Sequence, residues 1–244
     1  MQAPDFVRLA GHPVRWRLLT ELVASDRAVR ELTQLVDEPQ SLVSYHLRLL
    51  QDGGLVSSRR SSADARTSYY AVDLESCQRG LQTVGGALHP ALWLLPRPRA
   101  ERFSGRRQRV LFLCTGNSAR SQMAEALLER MSGNAIDAAS AGSNPKPLHG
   151  NTVRAMSKRG IDISDHRSKH LDEFIAKNFD AVITLCDRVR EVCPEFPAQP
   201  RMIHWSIPDP AQAGDTNRAS YPAFEATAAE LETRIEFLLH VLNE

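Results

Sequence analysis

The chain has 244 residues, of which 24% are charged, and a formal net charge of +1. This length is enough for two domains of ordinary size, and the balanced charge excludes a uniformly basic protein that coats nucleic acid. No stretch approaches the roughly 18 apolar residues of a membrane helix, and the N-terminus lacks the apolar core of a secretory signal. We therefore expect a cytoplasmic protein without membrane contact. Its four cysteines are too few for a disulfide scaffold.

Composition predicts an N-terminal domain at residues 1–94, a linker at 95–108 and a C-terminal domain at 109–244. The linker is rich in proline and arginine and contains little that a core would bury. A solvated basic linker is the favoured interpretation of its arginines, and contacts with DNA phosphates are the alternative.

The N-terminal part shows helical spacing of apolar residues over 12–23, 29–36 and 38–50. A strand at 55–56 and a returning strand at 67–72 then enclose a polar loop with three arginines. Taken alone, the polar helix face could be a solvated surface and the two strands an ordinary hairpin. The order of the helices and strands indicates instead a mostly helical α+β winged helix-turn-helix that binds double-stranded DNA. The residues predicted to contact DNA are Gln40, Ser41, Ser44, Tyr45, His46, Arg48, Arg59, Arg60 and Arg66.

Three motifs of this part, G-H-P-V-R at 11–15, S-Y-H-L-R-L-L at 44–50 and G-G-L-V at 53–56, resemble the ArsR/SmtB family of metal-responsive repressors. The resemblance covers about residues 3–90 and implies a homodimer formed by terminal helices, with 74–94 as the candidate segment. Arsenite-sensing members often carry Cys-Val-Cys before the recognition helix. This chain has E-L-T-Q-L at 31–35 instead, so it lacks the thiolates that trivalent arsenic prefers.

In the C-terminal part, a short apolar strand leads into a loop that begins with Cys114 and ends with Arg120, and helix-forming residues follow. A loop at a helix N-terminus offers unpaired N–H groups and a positive dipole to an oxyanion, and the same field favours the Cys114 thiolate. Arg120 supplies a planar fork of donors, and the Ser121 hydroxyl can donate to the sulfur. A buried cysteine that ends a core strand is the alternative. The predicted oxyanion-binding residues are Thr115, Gly116, Asn117, Ser118, Ala119 and Arg120.

Beyond the loop, predicted strands at 136–142 and 181–185 alternate with predicted helices at 151–159 and 221–242. This alternation indicates an α/β domain with a central parallel sheet flanked by helices. Cys114 then lies at the carboxyl end of a strand, where such sheets bind ligands.

Three further residues bear on the chemistry. Cys186 follows a core strand directly, and Cys193 lies in a charged, proline-bounded segment that is poor core material. A redox role is favoured over two structural thiols. Asp209 lies between two prolines, where it is a candidate general acid, although an ordinary turn residue has the same setting.

Together the C-T-G-N-S-A-R-S loop, S-A-G at 140–142, T-L-C at 184–186, C-P at 193–194, H-W at 204–205 and D-P-A at 209–211 resemble thioredoxin-coupled arsenate reductases. These share the low-molecular-weight tyrosine phosphatase fold. The resemblance implies that Cys114 attacks arsenate, Asp209 protonates the leaving oxygen, and a disulfide passes through Cys186 to Cys193. It implies thioredoxin or another thiol donor as the electron source. We expect no tightly bound cofactor and no metal site in this chain.

The same resemblance implies a potassium site beside the loop, at residues matching Asn117, Glu125, Ser140 and an acidic residue. In this chain the last position matches Lys169. We hypothesise that the Lys169 ammonium replaces the cation, and a solvated surface lysine is the alternative.

The sequence as a whole therefore predicts a fused arsenic-resistance protein that binds DNA and reduces arsenate. A low-molecular-weight phosphatase fused to a regulator is the alternative. An enzyme whose winged helix only dimerises, and a regulator whose reductase half only senses, also remain open.

Overall fold

The computed structural model describes residues 3–89 and 106–242. The chain divides into two compact units, Met1–Arg99 and Ala100–Glu244, and each has its own hydrophobic core. Residues 95–105 of the predicted linker lie outside the described residues, and only 106–108 are described. The predicted dimerisation segment at 74–94 is described only to residue 89. Among the described helices, none has the length and apolar character needed to cross a membrane.

The N-terminal unit is mostly helical and has a small antiparallel sheet with the strand order β1-β3-β2. His12 caps its second helix by accepting a hydrogen bond from the Val14 N–H at 3.2 Å, and Pro13 begins that helix. The elements are α1 (Asp5–Ala10), α2 (Pro13–Ala24), β1 (Arg27–Ala28), α3 (Val29–Val36), α4 (Gln40–Asp52), β2 (Val56–Arg60), β3 (Ser68–Val72) and α5 (Leu74–Leu88).

Strand β1 was not predicted, since it has only two residues, and two further details of this unit differ from the sequence-based expectation. Helix α1 was not predicted, because its six residues are too few to establish a periodic pattern. Strand β2 is longer than predicted and pairs with β3 as far as Arg60 and Ser68. Arg59 and Arg60 therefore lie on a strand, and only Arg66 of the three lies in the connecting loop.

The C-terminal unit confirms the predicted α/β fold. Its four-stranded parallel sheet has the order β5-β4-β6-β7, and helices α6 and α7 pack against α9. The elements are β4 (Arg109–Cys114), α6 (Arg120–Ser132), β5 (Asp137–Gly142), α7 (Gly150–Ser157), β6 (Ala181–Thr184), α8 (Asp187–Glu191), β7 (Arg201–His204) and α9 (Asn217–Leu242). Strand β4 is buried from Val110 to Cys114, as expected of a parallel strand covered on both faces.

The register of the sheet determines where the functional loops begin. Cys114 of β4 is level with Gly142 of β5, and Leu113 of β4 is level with Thr184 of β6. These three strands therefore end together, and the residues that follow them share one edge of the sheet. Cys186 comes two residues after Thr184, so it leaves the sheet beside Cys114.

Candidate active site

The loop from Cys114 to Arg120, here called the cradle, joins the end of β4 to the start of α6. Asn117 adopts a left-handed backbone conformation with φ of 43°, and its N–H donates to the Cys114 sulfur at 3.2 Å. The loop therefore closes around the sulfur. Because α6 begins at Arg120, the unpaired N–H groups of its first turn and its dipole add positive potential at the cradle.

The Cys114 sulfur is buried and has a second polar neighbour. Ser121 Oγ lies 2.9 Å from it. This oxygen accepts a hydrogen bond from Asn117 Nδ2 at 2.8 Å, which leaves the Ser121 hydroxyl hydrogen available to the sulfur. Two hydrogen-bond donors therefore face this sulfur, and they can hold it in position for nucleophilic attack.

Arg120 connects the cradle to the loop that carries Asp209. Its Nη1 donates to the Ile207 carbonyl at 2.8 Å, and its Nη2 lies 3.4 Å from Asp209 Oδ2. Its Nε is buried, and no acceptor for it is found in the described part of the chain. Buried donors are normally paired, so this N–H suits an oxyanion bound in the cradle. Asp209 keeps 32% of its side chain exposed, and the guanidinium holds its carboxylate near the cradle.

A second thiol lies beside the cradle. Cys186 is buried at the N-terminus of α8, and its sulfur lies 3.2 Å from Thr115 Oγ1. Cys193 lies beyond the other end of α8 and is half-buried, and burial raises the pKa of its thiol to about 11. The four cysteines are free in this structure. Cys186 therefore lies next to the cradle. Cys193 lies farther along the chain, and its thiol is protonated at neutral pH.

The four residues of the predicted cation site come together on the far side of the cradle. Asn117 Nδ2 donates to Ser140 Oγ at 2.8 Å, and the Ser140 hydroxyl donates to the Glu125 carboxylate. The Lys169 N–H donates to Asn117 Oδ1 at 2.7 Å, and its ammonium lies 2.9 Å from Glu125 Oε1. These contacts connect the left-handed residue of the cradle to a buried ion pair.

Sequence reasoning missed a segment that supports the cradle from outside. The N–H groups of Asn144, Lys146 and His149 donate to the carbonyls of Thr115, Gly116 and Ser118, at 2.8, 2.8 and 3.0 Å respectively. We call residues 144–149 the brace. Because its N–H groups pair with these carbonyls, the brace fixes the orientation of the peptide groups of the cradle. The signal in the sequence was the pair of prolines at 145 and 147, which make the brace rigid.

Gly142 is required by close packing against the cradle. A Cβ atom at this position would lie 2.6 Å from the Thr115 carbonyl oxygen and 2.9 Å from the Asn117 nitrogen. Both neighbours are backbone atoms that cannot move without distorting the cradle. The backbone of β5 therefore touches the cradle directly.

In the N-terminal unit, α4 presents Gln40, Ser41, Ser44, Tyr45 and Arg48 to solvent. These five keep the outward orientation that DNA binding requires. Arg60 and Arg66 are also exposed, with 94% of the Arg66 side chain accessible, and Arg59 is half-buried.

His46 does not share this outward orientation, so its predicted contact with DNA is wrong. Its side chain is only 4% exposed and packs against His12, with ring centroids 4.4 Å apart and ring planes tilted by 38°. Burial, then the nearby His12 and Arg15, lower the pKa of His46, and Glu38 acts in the opposite direction. The residue belongs to the core between α2 and α4, three positions after buried Val43.

Comparison with known proteins assigns the two units to different families. Residues 109–244 match the family described as low molecular weight phosphotyrosine protein phosphatase, and residues 10–59 match a helix-turn-helix domain. The arsenate reductase of Halalkalibacterium halodurans is 39% identical over 127 residues, which are 52% of this chain and 91% of that protein. The arsenate reductase of Brevibacillus brevis is 41% identical over 127 residues, with coverage of 52% and 90%. A solved structure described as an arsenate reductase in the phosphate binding state gives a TM-score of 0.49 at 30% identity, and covers 55% of this chain and 98% of its own.

The region matched to the phosphatase family contains the cradle together with Cys186, Cys193 and Asp209. The chain therefore belongs to the low molecular weight phosphotyrosine protein phosphatase family, and it joins a domain of that family to a helix-turn-helix domain.

Proposed function

We propose that the C-terminal unit reduces arsenate to arsenite with three thiols. The observation that carries this proposal is the position of the Cys186 sulfur, 3.2 Å from Thr115 Oγ1 in the cradle that holds Cys114. Hydrolysis of a phosphate ester in such a cradle needs one thiolate and one acid. Reduction needs a second thiol within reach of the first, and the relatives named arsenate reductase support the same reaction.

In the first step, the Cys114 thiolate attacks arsenic(V) while the cradle N–H groups and Arg120 bind the remaining oxygens. A sulfur–arsenic bond forms, and one oxygen leaves as water after Asp209 has donated a proton to it. Arg120 is the last residue of the cradle and contacts Asp209, so it holds the acid near the leaving oxygen.

In the second step, the Cys186 thiolate attacks the Cys114 sulfur. A disulfide forms, the sulfur–arsenic bond breaks, and its electron pair remains on arsenic, which leaves as arsenite. Thr115 contacts Cys186 and therefore orients this attack.

In the third step, the Cys193 thiolate attacks the Cys186 sulfur, which releases Cys114 as a thiolate and transfers the disulfide to Cys186 and Cys193. Thioredoxin, a dithiol protein, then reduces this disulfide. Because α8 separates the two cysteines and Cys193 is half-buried, this step requires that α8 rearranges.

The relay is tested by arsenate-dependent oxidation of thioredoxin. Cys186→Ser should abolish arsenite formation, and Cys193→Ser should allow at most one arsenite per protein. Cys77→Ser is the matched control, since Cys77 lies in the other unit, and it should turn over normally. Sustained turnover by Cys193→Ser would refute the relay.

The phosphatase alternative is tested by hydrolysis of an aryl phosphate. Hydrolysis that persists in Cys186→Ser and Cys193→Ser, without arsenate reduction by the unmodified protein, would favour that alternative.

We further propose that the N-terminal unit binds double-stranded DNA as a regulator of the ArsR type. The exposed polar face of α4 and the exposed arginines of the hairpin support this role. Affinity for the protein's own promoter region should fall steeply with salt concentration, because phosphate contacts release counterions. Measurement with and without arsenite tests regulation. Promoter binding without arsenate turnover would show that the protein is only a regulator. Arsenate turnover without promoter binding would show that it is only an enzyme.

Homodimerisation through this unit is part of the same proposal. Helix α5 buries none of its described residues, and Leu81 and Leu88 are 47% and 74% exposed. A helix with exposed leucines suits burial against a second copy. Sedimentation should show a dimer for the unmodified protein and a shift towards monomer for Leu81→Glu. An unmodified protein that sediments as a monomer would contradict this part.

A further inference from the structure

Lys146 of the brace lies over Gly116 of the cradle. Its Cγ and Cδ lie 3.8 and 3.7 Å from the position that a Cβ on Gly116 would take, and its N–H donates to the Gly116 carbonyl at 2.8 Å. The ammonium is two bonds beyond Cδ. The Lys146 side chain therefore runs beside the cradle, and its ammonium can reach an anion that enters there.

The brace gives this lysine little freedom. Pro145 and Pro147 restrict the backbone on both sides. Ser168 Oγ lies within hydrogen-bond distance of the Lys146 carbonyl and of the Asn117 carbonyl, at 2.8 Å from the latter, and its one hydrogen is shared between them. The backbone that carries the ammonium is thus fixed to two points of the cradle.

Two other lysines of this unit form ion pairs with carboxylates, and Lys146 forms none among the residues that the structure describes. The Lys169 ammonium is paired with Glu125, and the Lys158 ammonium lies 3.1 Å from Glu225. Within residues 3–89 and 106–242, no carboxylate forms an ion pair with Lys146, whose side chain is exposed. Its positive charge is therefore available to an anion that approaches the cradle.

We propose that Lys146 is an anion-capture residue, which attracts the doubly charged tetrahedral oxyanion and contacts an outer oxygen as the ion enters the cradle. This inference rests on the proposed function, because it makes arsenate the captured ion. Lys146 acts on binding rather than on the sulfur chemistry, since the proposed function assigns the reacting oxygens to Arg120 and the backbone N–H groups of the cradle.

The test compares Lys146→Met with Lys146→Arg and with the charge-matched control Lys158→Met. Inorganic phosphate is used to protect Cys114 from iodoacetamide, a neutral reagent, and the labelled peptide is quantified by mass spectrometry. At low ionic strength, we expect Lys146→Met to need about five- to tenfold more phosphate for half-protection, and the difference to shrink below about twofold at 1 M salt. Lys146→Arg and Lys158→Met should stay within about twofold of the unmodified protein.

Arsenate kinetics supply the second readout. Lys146→Met should raise KM for arsenate by the same factor and leave kcat unchanged, because it removes binding that the ground state and transition state share. Unchanged phosphate protection, or a fall in kcat without a change in KM, would overturn the proposal. A shifted phosphate protection in a protein that reduces no arsenate would support the capture of oxyanions by Lys146 and reject the proposed reaction instead.

Discussion

The Lys169 ammonium lies 2.9 and 3.0 Å from the two carboxylate oxygens of Glu125. Only 16% and 10% of the two side chains are exposed, so the pair is largely removed from water. The ammonium contacts both oxygens that a potassium ion would need. The residues of this chain therefore do not fit a bound cation at this position.

From this pair we predict that arsenate turnover is equal in potassium and sodium buffers of the same ionic strength. Lys169→Met should lower the free energy of unfolding by about 3 kcal/mol, because it leaves a buried carboxylate unpaired. The double variant Lys169→Met with Glu125→Gln should recover part of this loss. Urea titrations measure the stability, and a clear potassium requirement in the unmodified protein would contradict the prediction.

Cys193 should react slowly in the reduced, folded protein. Burial raises the pKa of its thiol to about 11 from the ordinary 9.0. The thiolate fraction at pH 7.5 is then about 100-fold smaller than in the unfolded chain, and the alkylation rate should fall by the same factor. The rate for the folded protein should still rise between pH 9 and 10, whereas the unfolded chain levels off near its ordinary pKa. Peptide-resolved alkylation measures both, and equal rates in the two states would show that the thiol is accessible.

Gly142→Ala should damage the cradle, whereas Gly150→Ala should not. The new methyl group at position 142 would meet backbone atoms of Thr115 and Asn117, but no atom lies within 4 Å of a Cβ at position 150. We expect Gly142→Ala to lose about 1–3 kcal/mol of stability and about 100-fold in activity through displacement of the cradle. Thermal unfolding and arsenate turnover test this. Similar behaviour of the two variants would contradict the packing argument.

The stability of the N-terminal unit should depend on pH through the protonation of His46. Because burial lowers the pKa of His46 below its ordinary 6.5, the folded unit takes up this proton less readily than the unfolded chain. The stabilisation is complete above about pH 6.5 and is lost as pH falls through the folded-state pKa, with a slope of at most about 1.4 kcal/mol per pH unit. His46→Gln should remove this slope, and His89→Gln, which changes an exposed histidine, should keep it. Hydrogen exchange of α4 amides measures both, and an unchanged slope in His46→Gln would exclude His46 as the titrating group.

The error over His46 shows where sequence patterns mislead. Val43, Leu47 and Leu50 form the buried side of α4, and position 46 lies three residues after Val43 and four before Leu50. Helical spacing alone therefore predicts that position 46 is buried. The family resemblance and the outward-facing neighbours of His46 suggested the opposite, but the ring is buried and packs against the tilted ring of His12.

The cradle was predictable because each of its parts leaves a mark in the sequence: an apolar strand, a cysteine, a short polar loop and a helix. The prolines at 145 and 147 mark the brace as a rigid segment, but its contact with the cradle was not predictable, because the three hydrogen bonds join backbone groups. Strand β7 was missed for a related reason. It has only four residues, two exposed and two buried, so it shows neither alternation nor a continuous apolar run.

The register of β4 and β6 determines what a substitution at position 186 does. Since Leu113 is level with Thr184, the residue that occupies position 186 emerges beside Cys114 whatever its side chain is. A second sulfur at this position therefore needs no new loop and no new strand. Whether one thiol or two lie at the cradle is decided by the side chain at position 186 and not by the backbone of the sheet.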